Sequence, residues 1–111
     1  MESDQFCRVD RPECPVLRVD GEIDLVVRDD LRAALRRLVL DAHSPAHLDL
    51  SGVTFFDSTG VHALLEARTL AAERGVELVV TPSRPVTATL EVLGLGGAFR
   101  WVDPPPAAPP E

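Results

Sequence analysis

Hydrophobic and polar positions change their period several times along this chain, and each change marks an element. Val16-Leu17-Arg18-Val19 alternates between Pro15 and Asp20-Gly21, which predicts a strand, with a fainter one over residues 5 to 9. Glu22-Ile23-Asp24 follows, ending in a carboxylate suited to capping a helix. From Leu25 the period lengthens. Val27, Leu31, Ala34, Leu35 and Leu38 form the stripe of one buried helix face, with Arg28, Asp29, Arg32 and Arg36 opposite. His43-Ser44-Pro45 then interrupts, because proline cannot continue a helix.

Ala46 to Leu50 reads as a short strand in which His47 and Asp49 alternate with Leu48 and Leu50, and Ser51-Gly52 breaks it. Val53-Thr54-Phe55-Phe56 leads into Asp57-Ser58-Thr59-Gly60. A second helix follows with Val61, Leu64, Leu65, Leu70 and Ala71 toward the core, and Gly75 ends it in the left-handed conformation. Residues 76 to 80 form the next strand. Pro85 starts a third helix carrying Val86, Leu90 and Leu93, and residues 99 to 102 form a last strand after the glycines at 94, 96 and 97. Strands separated by crossover helices predict an α/β fold.

At 111 residues the chain is long enough for one domain with a single core. Its formal charge of −7 sets it against phosphate backbones and anionic lipid, so neither nucleic acid nor membrane is an expected partner. No apolar run is long enough to span a bilayer, and the acidic start Met1-Glu2-Ser3-Asp4 does not resemble a signal peptide. A cytoplasmic location is expected. Cys7 and Cys14 have neither CxxC nor zinc-ligand spacing; a hairpin at Asp10-Arg11-Pro12 would bring them close, but reduced thiols are the expectation in a cytosol. Residues 1–13 are therefore expected to be a strand or hairpin arm and 14–102 the domain. Residues 103–111, with five of the ten prolines, are expected to be a disordered tail.

Little here supports catalysis. His43 and His47 are separated by Pro45 and cannot form a helical metal pair, no serine lies in a G-x-S-x-G elbow, and the glycines at 94–97 open no helix. No metal or cofactor is expected. The informative junction is Asp57-Ser58-Thr59-Gly60, where a strand hands over to a helix. Aspartate, serine and threonine are all good N-caps, each worth about 1 kcal/mol when it caps, yet capping needs only one. A hydroxyl at a helix start also tolerates an added phosphoryl charge of about −1.5 to −2, which would make the surface around Asp24 and Asp57 strongly anionic.

These residues resemble a known family. Gly21-Glu22-Ile23-Asp24, Leu48-Asp49-Leu50-Ser51-Gly52-Val53 and Asp57-Ser58-Thr59-Gly60 are similar to the G-E-L/I-D and D-S-S/T-G signatures of the STAS domain, with the match running over roughly residues 14 to 102. Within that group a short acidic chain is most similar to bacterial anti-sigma factor antagonists. The resemblance implies a STAS-type mixed sheet packed against helices on the crossover face. It implies partner switching in transcription regulation: an anti-sigma factor with serine kinase activity binds the unphosphorylated protein and phosphorylates it at Ser58, and a phosphoserine phosphatase resets it. Asp24, Asp57, Ser58, Thr59, Gly60, Val61 and His62 are then the partner-binding residues, with Thr59 a lesser candidate acceptor. Two departures stand out: His62 replaces a usually small or apolar residue, and Asp103-Pro104-Pro105-Pro106 stands where relatives carry a final helix. The alternatives are a non-switching structural STAS subunit of a transport or stressosome-like assembly, and a small-molecule or nucleotide sensor that uses the N-terminus of the second helix as an anion site.

Overall fold

The computed structural model describes residues 15–42 and 45–103. Within them β1 (Val16–Ile23) leads through a 3-10 turn (Leu25–Val27) into α1 (Arg28–Asp41). β2 (Ala46–Phe56) leads into α2 (Ser58–Arg74), β3 (Leu78–Thr81) into α3 (Arg84–Val92), and β4 (Arg100–Trp101) closes the sheet. The strand order is β1-β2-β3-β4 and every described pairing is parallel. The α/β class is as expected. The strand at residues 5 to 9, both cysteines, the arm over 1–13 and the tail beyond Asp103 lie outside the described residues.

Leu31, Leu35 and Leu38 of the expected α1 stripe are buried, with Val39 beside them. They pack with Leu64, Ala67 and Ala71 of α2, Val86 and Leu90 of α3, and Ala46, Leu48 and Leu50 of β2. The helices thus cover the face of the sheet to which the even-numbered residues at the start of β2 point. Gly75 ends α2 at φ +69, the left-handed geometry its position predicts. Leu93, expected in the core, is instead about half exposed, because α3 ends at Val92.

Two expected strand breaks do not occur. β1 runs through Asp20-Gly21 and β2 through Ser51-Gly52, with register shifts between Arg18 and Asp20 and between Gly21 and Glu22. At each shift β2 contributes one residue more than β1, the signature of a bulge. The first is held by side chains. Asp49 Oδ1 accepts from the Ser51 backbone N–H (3.0 Å) and hydroxyl (2.7 Å), and the Arg18 guanidinium donates to Asp20 (3.1 Å) and Asp49 (3.4 Å). Gly52 leaves room for the Asp20 carboxylate, which a Cβ there would strike. The turn chemistry read from sequence is therefore real, but it makes a bulge rather than an end.

The second face of β2 is polar and also buried. His47 is fully buried and Asp49 nearly so, where simple alternation would leave them in water. Thr81 Oγ1 donates its one proton to the Asp103 carbonyl (3.0 Å), so it accepts from His47 Nε2–H at 2.7 Å. His47 is thereby set as the Nε2–H tautomer. Burial lowers its pKa from the ordinary histidine value, with the Asp49 carboxylate pulling the other way.

At the exit of β2 the Phe56 ring, itself buried, lies against Gly60 of α2. A Cβ at residue 60 would collide with that ring. Thr89 of α3 donates to the Phe56 carbonyl (3.1 Å) and fixes the same exit from the other side.

Two outcomes are expected. A histidine held neutral by burial binds its proton less readily folded than unfolded, so acidification below about pH 6.5 favours unfolding. Denaturant melts from pH 7.5 to 5 will show this loss, and His47→Gln, which keeps a donor without titrating, will flatten it. Gly60→Ala should destabilise by about 1–3 kcal/mol despite alanine's better helix propensity. In a Phe56→Leu background the same change will cost less, read from a double-mutant cycle.

Candidate functional site

The last pair in the β1–β2 register is Ile23 with Phe56, so the next residue of each strand, Asp24 and Asp57, leaves the sheet side by side. Both take up the same capping geometry. Asp24, at φ −137 and ψ −171, accepts from Val26 N–H through Oδ1 at 3.1 Å and caps the 3-10 turn. Asp57, at φ −123 and ψ −164, accepts from Thr59 N–H through Oδ1 at 2.9 Å and caps α2. Each carboxylate engages an N–H that a helix start would otherwise leave without a partner.

This settles which member of the junction is the cap. Asp57 does that work, and Ser58 is the first residue of α2, exposed to solvent. Among the described residues its hydroxyl takes part in no hydrogen bond. Thr59 is half-buried and gives its backbone N–H to the cap. His62 lies one turn beyond Ser58 on the same face and is exposed.

Val61 and Gly60 both lie inward at the start of α2, Val61 on the core-facing side that periodicity predicts although the resemblance also counts it among the partner contacts. Val61 is buried in the core at 3% exposure, and Gly60 is buried against Phe56. Neither offers a side-chain surface to a partner, and the glycine serves the packing of the strand exit. Of the two phenylalanines before the junction, Phe55 is about half exposed and Phe56 is buried against the start of α2.

A cleft of about 270 Å³ opens where the first turns of α1 and α2 meet. Arg28 and Arg32 line it from α1, and Ser58, Thr59, His62 and Glu66 from α2, with Leu25 at its edge. Arg32 Nε reaches Glu66 Oε1 at 2.8 Å and joins the two helices. Beyond the cleft a longer groove of about 640 Å³ runs between the helices over Leu35, Ala63, Ala67 and Leu70.

Sequence reasoning missed three contributors to this edge. Leu25 and Val26 are 66% and 89% exposed, an apolar pair beside the caps. Their signal was present, since both fall off the 27-31-34-35-38 stripe. Arg28 falls opposite the buried stripe, and the sequence pattern alone does not connect it to the start of α2. Among the described residues no group of three His, Cys, Asp or Glu could hold a metal, and no helix is long and apolar enough to cross a membrane.

Comparison with known proteins agrees with this architecture. A crystal structure of an anti-sigma factor antagonist from Mycobacterium paratuberculosis is similar at 30% identity and a TM-score of 0.65, over 78% of this chain and 74% of that one. The anti-sigma factor antagonist SpoIIAA in its unphosphorylated form shares the fold, at 19% identity and a TM-score of 0.62, over 80% of this chain and 78% of its own. No curated protein matches by sequence. A family model described as MlaB, STAS domain, matches residues 8–102, so the chain belongs to the STAS domain family.

Proposed function

We propose that this protein is an anti-sigma factor antagonist whose partner binding is switched off by phosphorylation of Ser58. The observation that carries the reading is the division of labour at the α2 start: Asp57 caps the helix, which leaves the Ser58 hydroxyl exposed and uncommitted. The likeness to the Mycobacterium paratuberculosis antagonist supports the general role.

In the unmodified state the docking surface is a compact patch around Ser58. Leu25 and Val26 supply exposed apolar area, and Asp24, Asp57, Thr59 and His62 supply the polar contacts around them. The partner is an anti-sigma factor with serine kinase activity, bound in the cytoplasm. In the transfer step Ser58 Oγ bonds to the γ-phosphorus of ATP and the bond from that phosphorus to the β,γ-bridging oxygen breaks. ADP leaves and the hydroxyl proton passes to a base of the kinase. The phosphoryl group adds about −1.5 to −2 of charge in the middle of the patch. A contact that was apolar and hydrogen-bonded then contains a dianion which docking would have to desolvate. A phosphoserine phosphatase reverses the change. The chain needs no active site of its own, because the chemistry belongs to its partners.

Wild type, Ser58→Ala and Ser58→Asp used as baits test the proposal. The first two should retain an ATP-binding partner from native lysate, and Ser58→Asp should bind it at least about tenfold more weakly by titration calorimetry. Incubation of that partner with ATP should add one phosphate to wild type and none to Ser58→Ala. Equal binding by all three variants would make the chain a non-switching structural subunit.

A further inference from the structure

The cleft beside Ser58 has a feature that partner docking does not require. Two cations of α1 and the histidine of α2 converge on it, in a chain whose net charge is −7. Arg28 and Arg32 are four residues apart on α1, and Ser58 and His62 four apart on α2, so each pair occupies one helix face. These two faces line the same cleft.

The two arginines are not equivalent. Arg32 is held by Glu66 across the helix pair at 2.8 Å. Among the described residues Arg28 reaches only its sequence neighbour Asp29, at 3.3 Å, and that carboxylate is 82% exposed. A surface pair between adjacent residues is weak and gives way readily to a more highly charged acceptor. Of the carboxylates around the cleft, Glu66 is engaged by Arg32, and the caps Asp57 and Asp24 are engaged by backbone N–H groups. Among the described residues that line the cleft, Arg28 is thus the arginine held by the weaker pair, and His62 stands one turn from the acceptor hydroxyl.

We propose that the phosphoryl group of phosphorylated Ser58 is received in cis, by the Arg28 guanidinium and the His62 imidazole across the α1–α2 cleft. This rests on the reading of Ser58 as the phosphorylation site and adds a second element to the switch. A phosphate bound by its own chain lowers the free energy of the unbound phosphorylated protein, and docking has to break those contacts first. The off state is then held by an internal bond as well as by the added charge. Arginine suits the role because its planar fork can give two parallel hydrogen bonds to phosphate oxygens.

The test uses the full chain with phosphoserine placed at position 58 by genetic code expansion, so its result is independent of any kinase. Phosphorus NMR titration gives the second pKa of the phosphate in four proteins: the parent, Arg28→Gln, Arg28→Gln/His62→Gln, and Arg37→Gln. Arg37 is exposed on the far side of α1, so its variant removes the same formal charge away from the cleft. Arg28→Gln should raise the phosphate pKa by about 0.3–0.7 unit, the double variant further, and Arg37→Gln hardly at all. Equal shifts for Arg28→Gln and Arg37→Gln, or no shift in any variant, would overturn the proposal. Circular dichroism of each variant confirms that the comparison is between folded proteins. Failure of the kinase assay above would instead refute Ser58 as a physiological acceptor and leave this titration unaffected.

Discussion

Everything at the functional edge depends on the parallel register between β1 and β2. Parallel strands lie about 4.8 Å apart, so two residues that leave a sheet together must begin their loops as neighbours. The pairing of Ile23 with Phe56 imposes this on Asp24 and Asp57. Register reaches that pair only because the two strands absorb two extra residues of β2 on the way. Arg18, Asp20, Asp49, Ser51 and Gly52 hold the first of these shifts. Without the bulges, β2 would run out of step with β1, and the caps would part company.

The same edge is where open parallel sheets place their ligands, at the carboxyl ends of the strands where helices begin. Here that edge carries exposed side chains beside the cleft between α1 and α2. Two aspartates hold the helix starts, two apolar residues stand out beside them, and the exposed Ser58 hydroxyl makes no hydrogen bond among the described residues. Separating the capping residue from the modifiable one matters physically. A serine that caps its own helix would lose that bond on phosphorylation, and the helix start would change along with the surface charge. With Asp57 as cap, the proposed phosphorylation of Ser58 would alter recognition while leaving α2 in place.

Much of this was legible in the sequence, and the failures have particular causes. The Leu31-Leu35-Leu38 stripe, the Gly75 stop and the strand-to-helix handover at Asp57 follow from periodicity and local turn chemistry, and the structure keeps them. Which of Asp57, Ser58 and Thr59 does the capping was not legible, because all three suit the role and only backbone geometry separates them. Gly21 and Gly52 misled because a glycine that accommodates a bulge has the same local signature as one that ends a strand. Val61 carried two expectations that one side chain cannot both meet: periodicity turns it toward the core, where it lies, and the resemblance counts it among the partner contacts. His47 and Asp49 looked like a solvated strand face because alternation reports polarity and not burial, and a buried polar layer appears the same in one dimension.

The β1–β2 pairing also joins segments far apart in the chain, since Val16 meets His47 and Ile23 meets Phe56 with a whole helix between them. Contacts of this separation carry a large loop-closure entropy and form only with a cooperative core beneath them. The two caps, the exposed serine and the apolar pair therefore exist as a surface only in the folded chain. A nascent or partly unfolded copy carries the same residues but cannot present them together. Under the proposed function, recognition at this edge would double as an inspection of folding, and a damaged copy would be silent instead of wrongly active.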